Sequence, residues 1–143
     1  MTSDAVADRC VVAKWLLIEP DTAEANRFFA DIKSGGGRIV VLDLALIEVA
    51  QAIWKRVHRG LPTADEGERL TDALLVLPVA IEPSGPKLRR AAEIARVYDR
   101  SVYDALFVAL AEDLGLPGVT ADEPLQRAVA SDFPSVLLLR DRP

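Results

Sequence analysis

A chain of 143 residues, half of them hydrophobic and 27% charged, has the length of one domain with a substantial core and an ordinary globular composition. Its net charge of −5 and pI near 4.9 exclude a broad basic footprint for nucleic acid. The single cysteine, Cys10, excludes an intramolecular disulfide and a multi-cysteine zinc site, and the central apolar run 105–111 is far short of the roughly 20 residues that cross a bilayer. The start, Met1-Thr-Ser-Asp-Ala, has neither a basic nor an apolar leader region. A cytoplasmic location without membrane association is the expectation.

In chain order, short apolar runs alternate with longer helical ones, the pattern of an α/β fold with a parallel sheet. A first strand is predicted at about 4–8, weakly apolar in composition, and is followed by helices at 10–17 and 21–33 broken around Glu19-Pro20. Ser34-Gly-Gly-Gly37 reads as a loop before a second strand at 38–43. A third helix over 44–59 ends at Gly60. Thr63 with Glu66 forms a capping box for a fourth helix, to about 76. A third strand at 79–82 precedes a fifth helix at 86–98, with Pro86 at its first position. Ser101 opens a sixth helix that stops before Gly115. A fourth strand at 118–121, a seventh helix opened by Asp122 and Pro124 and running to about 130, and a fifth strand at 135–139 complete the chain. The whole, 1–143, reads as one domain with no repeat or linker.

Four carboxylates stand inside or beside apolar runs: Asp8, Glu48, Asp104 and Asp122. Burying a lone carboxylate is costly unless something neutralises it. Asp104 shares a helix ridge with Phe107, Val108 and Ala111, on a helix apolar nearly all round; a capping box with Ser101 is the alternative use. Glu48 interrupts an apolar helix, where it could instead be an edge residue reaching to water. Asp122 has the position of a helix N-cap and Asp8 that of a strand-to-helix turn. Asp8 and Asp122 fall at strand ends, where parallel sheets bind ligands. Two carboxylates about 5 Å apart repel by roughly 3 kcal/mol at an effective dielectric of about 20, so convergence of all four calls for a cation. Mg²⁺ takes oxygen ligands, keeps waters and uses one or two carboxylates with substrate phosphate.

Other chemistry is thin. His58, the only histidine, sits on a basic helix end and reads as solvated, so no serine triad or cysteine–histidine pair can be built. Gly35–Gly37 precedes a strand and does not open a helix, so it is no phosphate cradle. Lys55, Arg56, His58 and Arg59, and then Lys87, Arg89, Arg90, Arg96 and Arg100, read either as solvated helix faces or as short phosphate-contacting ridges.

Four stretches in order resemble the motifs of the PIN-domain family, and specifically the VapC-type toxins of bacterial toxin–antitoxin pairs. They are Asp8-Arg-Cys-Val-Val-Ala-Lys-Trp15, Glu48-Val-Ala-Gln-Ala-Ile-Trp-Lys55, Tyr103-Asp-Ala-Leu-Phe-Val-Ala-Leu-Ala-Glu112 and Val119-Thr-Ala-Asp122. The third is the most specific. The resemblance implies a three-layer α/β/α fold around a parallel sheet of about five strands. It implies an endoribonuclease that hydrolyses RNA phosphodiesters at a Mg²⁺ or Mn²⁺ site made by Asp8, Glu48, Asp104 and Asp122. Asp8 and Asp104 would ligate directly. Asp122 would complete the site, through water or a second ion, supported by Thr120, and Glu48 would orient the attacking water or hold a metal. It also implies a homodimer silenced by a cognate antitoxin. Cys10 stands where the family usually has Ser or Thr, and Gln51 where Asn often follows the glutamate.

Two other readings compete. A non-catalytic PIN-like module would use the acidic pocket to bind an arginine-bearing protein partner. A receiver-like phosphotransfer domain would need a lysine near a late strand end, and no lysine follows Lys87.

Overall fold

The computed structural model describes residues 3–142, so Met1, Thr2 and Pro143 of the predicted 1–143 domain lie outside the described residues. Its strands are β1 (Ala5–Ala7), β2 (Ile39–Leu42), β3 (Ala80–Glu82), β4 (Gly118–Thr120) and β5 (Val136–Leu138). Its helices are α1 (Arg9–Leu16), α2 (Thr22–Ser34), α3 (Asp43–His58), α4 (Ala64–Leu75), α5 (Leu88–Tyr98), α6 (Val102–Leu114) and α7 (Glu123–Val129). All five strands pair in parallel, in the order β3-β2-β1-β4-β5.

The period-two alternation of the strands sorts the core into two layers. Ala5, Ala7, Ile39, Val41 and Val119 face the side covered by α1 to α4. Val6, Val40, Leu42 and Val136 face the side covered by α5 to α7. Helices therefore cover both faces, and the expected three-layer α/β/α architecture with a five-stranded parallel sheet is what the chain adopts. The sheet order explains why β1 looked weak as a strand. It is the central strand, buried on both faces, and its two alanines make room for the helices packed against it.

Local chemistry sets the element ends. Thr63 Oγ1 accepts from the Glu66 N–H at 3.2 Å, the N-cap half of the predicted capping box, and donates to the Glu66 carboxylate, which does not take the Thr63 N–H. Ser101 Oγ accepts from the Asp104 N–H at 3.0 Å to open α6, and Gly115, at φ +63°, closes it in the left-handed conformation that favours glycine. Residues 105–111 of α6 are all buried, as its continuous apolar run implied. The fifth helix differs from expectation. Pro86 lies in a 3-10 turn, Gly85–Lys87, and α5 begins only at Leu88. That turn is tied down by Ser84, whose N–H and Oγ both donate to Asp43 Oδ1 at the start of α3.

The chain runs outward from β1 to β3 and then returns to β4 on the other side of β1. The order of connection therefore reverses between β1 and β4. In an open parallel sheet that reversal leaves a crevice beyond the carboxyl ends of the two strands, where ligands bind.

Candidate functional site

Asp8 follows β1 into this crevice and is only 4% exposed. It is the N-cap of α1, and its Oδ1 accepts from the Arg9 N–H at 2.8 Å. Oδ2 accepts from Thr120 Oγ1, 2.8 Å away at the end of β4. Burial pushes the Asp8 carboxyl above its ordinary value, against the opposing pull of Thr120 and the neighbouring Arg9 charge. The turn residue of the sequence reading and the buried carboxylate are thus the same residue.

Thr120 links this carboxylate to the next strand end. While it donates to Asp8, its oxygen accepts from the Asp122 N–H at 3.1 Å. Asp122 caps α7, its Oδ1 accepting from the Leu125 N–H at 3.0 Å. Its carboxylate is thereby committed to a helix N-terminus, the use also read from its position. Cys10 lies between the two strand ends. Sγ is 3.5 Å from Asp8 Oδ2 and 3.4 Å from Thr120 Oγ1, and accepts from the Ala121 N–H at 3.2 Å. Burial, reinforced by the Asp8 charge, pushes the Cys10 thiol up to about 12.

Glu48 and Asp104 reach the same place from opposite layers, on α3 and α6. They are brought together by a residue absent from the predicted set, Arg9. Its Nε is 2.7 Å from Glu48 Oε2 and its NH2 group 3.1 Å from Asp104 Oδ1, while NH1 is 3.9 Å from Asp8 Oδ1. One guanidinium therefore bridges three carboxylates drawn from three elements. Asp104 does not complete a capping box with Ser101; its backbone N–H is capped, and its side chain turns to Arg9. Desolvation raises the Glu48 carboxyl, and the Asp8 and Asp104 charges add to the rise while Arg9 opposes it. Burial acts to lower the Arg9 guanidinium, yet the surrounding carboxylates hold it above its ordinary value.

The sequence carried one signal for Arg9: it directly follows Asp8 and so starts a helix at the mouth of the crevice. Its reach to Glu48 and Asp104 depends on the sheet order. Among the described residues, no group of three or more His, Cys, Asp or Glu side chains is gathered closely enough to hold a metal ion. The donors are hard carboxylate oxygens suited to Mg²⁺, which needs only one or two of them, but the guanidinium stands among them. Beside it, Asp8, Glu48, Leu42 and Phe107 enclose about 10 Å³, roughly the room for one water. Outside, an open groove of about 770 Å³ runs past Arg9, Glu48, Ile47, Gln51, Lys55 and Tyr103.

Of the two basic stretches, Arg56 is paired with Glu19, Lys87 with Asp113, and Arg90 with Glu112 and Glu93. Arg56 thereby ties α3 to the loop between α1 and α2, while Lys87 and Arg90 tie the 3-10 turn and α5 to α6. His58 is exposed and stacked on Trp54. Among the described residues no helix is long and apolar enough to cross a membrane.

Residues 5–130 match the family model of the PIN domain. The chain is 30% identical over 134 residues to Ribonuclease VapC3 of Pyrobaculum aerophilum, across 92% of this chain and 96% of that one. Among solved structures it is similar to PAE2754 from the same organism, with a TM-score of 0.72 at 20% identity over 98% of this chain and 92% of that one. A toxin–antitoxin complex from Klebsiella pneumoniae superposes with a TM-score of 0.67 at 16% identity, covering 94% and 97% of the two chains. At these identities the structural likenesses speak for the fold.

Proposed function

The chain belongs to the PIN-domain family, in its VapC-type branch, and from that membership we propose that it is an endoribonuclease, the toxin of a type II toxin–antitoxin pair. The observation that carries the reading is the convergence of Asp8, Glu48 and Asp104, from three elements, on one point of positive charge at the β1–β4 crevice. The name of the Pyrobaculum relative and the Klebsiella toxin–antitoxin complex support it. In this reading the nuclease domain spans 1–143 and works in the cytoplasm as a homodimer, with a cognate antitoxin as its inhibitor.

Asp8 and Asp104 would hold Mg²⁺ or Mn²⁺ directly, Asp122 would complete the site through water or a second ion, and Glu48 would orient the attacking water or hold a metal. When bound, the ion supplies Lewis-acid polarisation of the phosphodiester and of the attacking water. The chain's own residues do the rest. Thr120 fixes the rotamer of Asp8 through its 2.8 Å hydrogen bond and orients Asp122 through the backbone. Glu48, half-buried with a raised carboxyl, is placed to accept a proton from the attacking water. The groove admits the RNA strand past Lys55 and Tyr103, where a cation and an aromatic face can meet phosphate and base.

The test is cleavage of a cellular RNA mixture by metal-stripped protein with and without added Mn²⁺, beside Asp104→Asn. Mn²⁺-dependent cleavage that the substitution abolishes is expected. Cleavage by neither protein, with the fold intact, would favour the non-catalytic module. One observation does favour that second reading: a pocket that already holds a guanidinium on three carboxylates is shaped to accept an arginine.

A further inference from the structure

We propose that Arg9 is an internal cation standing in the metal position, so that a divalent ion enters this site only by exchange with the Arg9 guanidinium. The inference rests on the metal site proposed above and concerns how that site is filled.

The distances make the case. Arg9 Nε is ion-paired with Glu48 Oε2 at 2.7 Å and its NH2 group donates a hydrogen bond to Asp104 Oδ1 at 3.1 Å, so each carboxylate has an oxygen facing the guanidinium. A Mg²⁺ ion needs those oxygens at about 2.1 Å. An ion and a guanidinium sharing them would be two cations in near contact, in a half-buried place where water screens them poorly. The space left beside the guanidinium, about 10 Å³, is too small for an ion with its remaining waters. Three carboxylates and one guanidinium leave a formal charge of −2, so the cluster still attracts a divalent ion while the arginine is in place.

Displacement is open to Arg9. Its side chain is 31% exposed and lines the wide groove outside the crevice. The long side chain can swing there without moving α1, whose start is held by the Asp8 cap. Asp8 keeps its rotamer in either state, because Thr120 and the Arg9 backbone N–H hold it independently of the guanidinium. Arg9 thus does two opposed things. It relieves repulsion among the carboxylates when no metal is present, and it weakens metal binding by having to leave.

Calorimetric titration of MnCl₂ into metal-stripped wild type, Arg9→Gln and Asp104→Asn tests the exchange. Removing a charged competitor that makes one charge-assisted hydrogen bond, to Asp104, and an ion pair with Glu48 should tighten Mn²⁺ binding about tenfold or more in Arg9→Gln. Without metal that variant should unfold at a lower temperature than wild type, yet gain more from Mn²⁺. Equal or weaker Mn²⁺ binding by Arg9→Gln, with wild type binding and Asp104→Asn not, would overturn the exchange and leave the metal site standing. No binding by wild type or Arg9→Gln would overturn both. A second measurement needs no variant. In ¹⁵N-labelled wild type, the Arg9 Nε–H resonance should move to the position of a solvated arginine as Mg²⁺ is added, and an Arg9 signal unchanged at saturation would refute displacement.

Discussion

At the scale of the residue, the site is governed by what lies within about 4 Å of Asp8. Cys10 shows this most directly. A thiol in water has a pKa near 8.5, whereas Cys10 is packed between Asp8 and Thr120, with burial and the aspartate charge both opposing the thiolate. Its pKa of about 12 leaves almost no thiolate at pH 8. Alkylation by iodoacetamide at that pH should therefore be on the order of a thousandfold slower than for an exposed thiol, since the thiolate is the reacting form. Mass spectrometry of the native protein reads the rate directly, and fast modification would mean that the β1–β4 crevice opens. The same contacts explain why a cysteine is tolerated where the family carries a hydroxyl. Its Sγ accepts from the Ala121 N–H and makes a long bond to Asp8 Oδ2 at 3.5 Å, while Thr120 supplies the short hydroxyl bond to the same oxygen at 2.8 Å.

At the scale of the element, α6 and α7 each hold a site residue at or near their start, and each depends on one local feature. Asp122 caps α7, so its structural and chemical uses separate by substitution. Asp122→Ala should cost about 1 kcal/mol of stability, whereas Asp122→Asn, an equally good cap, should cost only a few tenths. Urea unfolding measures both, and if Asp122→Asn keeps its stability but loses RNA cleavage, the charge is needed for chemistry. Helix α6 depends on Gly118 in β4. A Cβ there would lie 2.9 Å from the Phe107 ring and 3.2 Å from the Ala111 Cβ. Gly118→Ala should force α6 off the sheet, costing about 1–3 kcal/mol by overpacking, and should weaken cleavage because Asp104 rides on the displaced helix. Much of this arrangement was legible in the sequence. The run 105–111 could only be a buried helix, the Thr63 and Ser101 caps stood in plain residues, and strand-end aspartates in an α/β pattern pointed to the crevice. The start of α5 was not legible, because the hydrogen bonds from Ser84 to Asp43 that hold the preceding 3-10 turn span two distant elements. Arg9 was missed for the same reason. Only the strand order brings α3 and α6 within reach of one guanidinium at the end of β1.

At the scale of the whole molecule, the proposed activity on RNA requires an acidic protein to bind a polyanion with few free cations near its crevice. The net charge is −5, and many of the arginines and lysines that might offset it are engaged elsewhere: Arg56 by Glu19, Arg90 by Glu112 and Glu93, Arg127 and Arg140 by Glu123. What remains near the groove is Lys55, with Arg59 exposed at the end of α3 and Arg9 once it is displaced. Two or three phosphate contacts to a single strand give a salt slope of about −2, since each neutralised phosphate contributes roughly −0.7. Between 50 and 200 mM KCl, affinity for a labelled single-stranded RNA should then fall only about tenfold, against the thousandfold or more of a protein with six to ten contacts. Fluorescence anisotropy with Asp104→Asn, expected under the proposed function to bind without cutting, isolates the slope from cleavage. A slope steeper than about −5 would need more cations than one groove offers, and would place a second protomer's basic ridge on the same strand. A shallow slope assigns recognition to the shape of the groove and to stacking on Tyr103. In that case the acidic charge of the molecule keeps it off bulk RNA and leaves the carboxylate crevice open to any stretch of chain that can enter it.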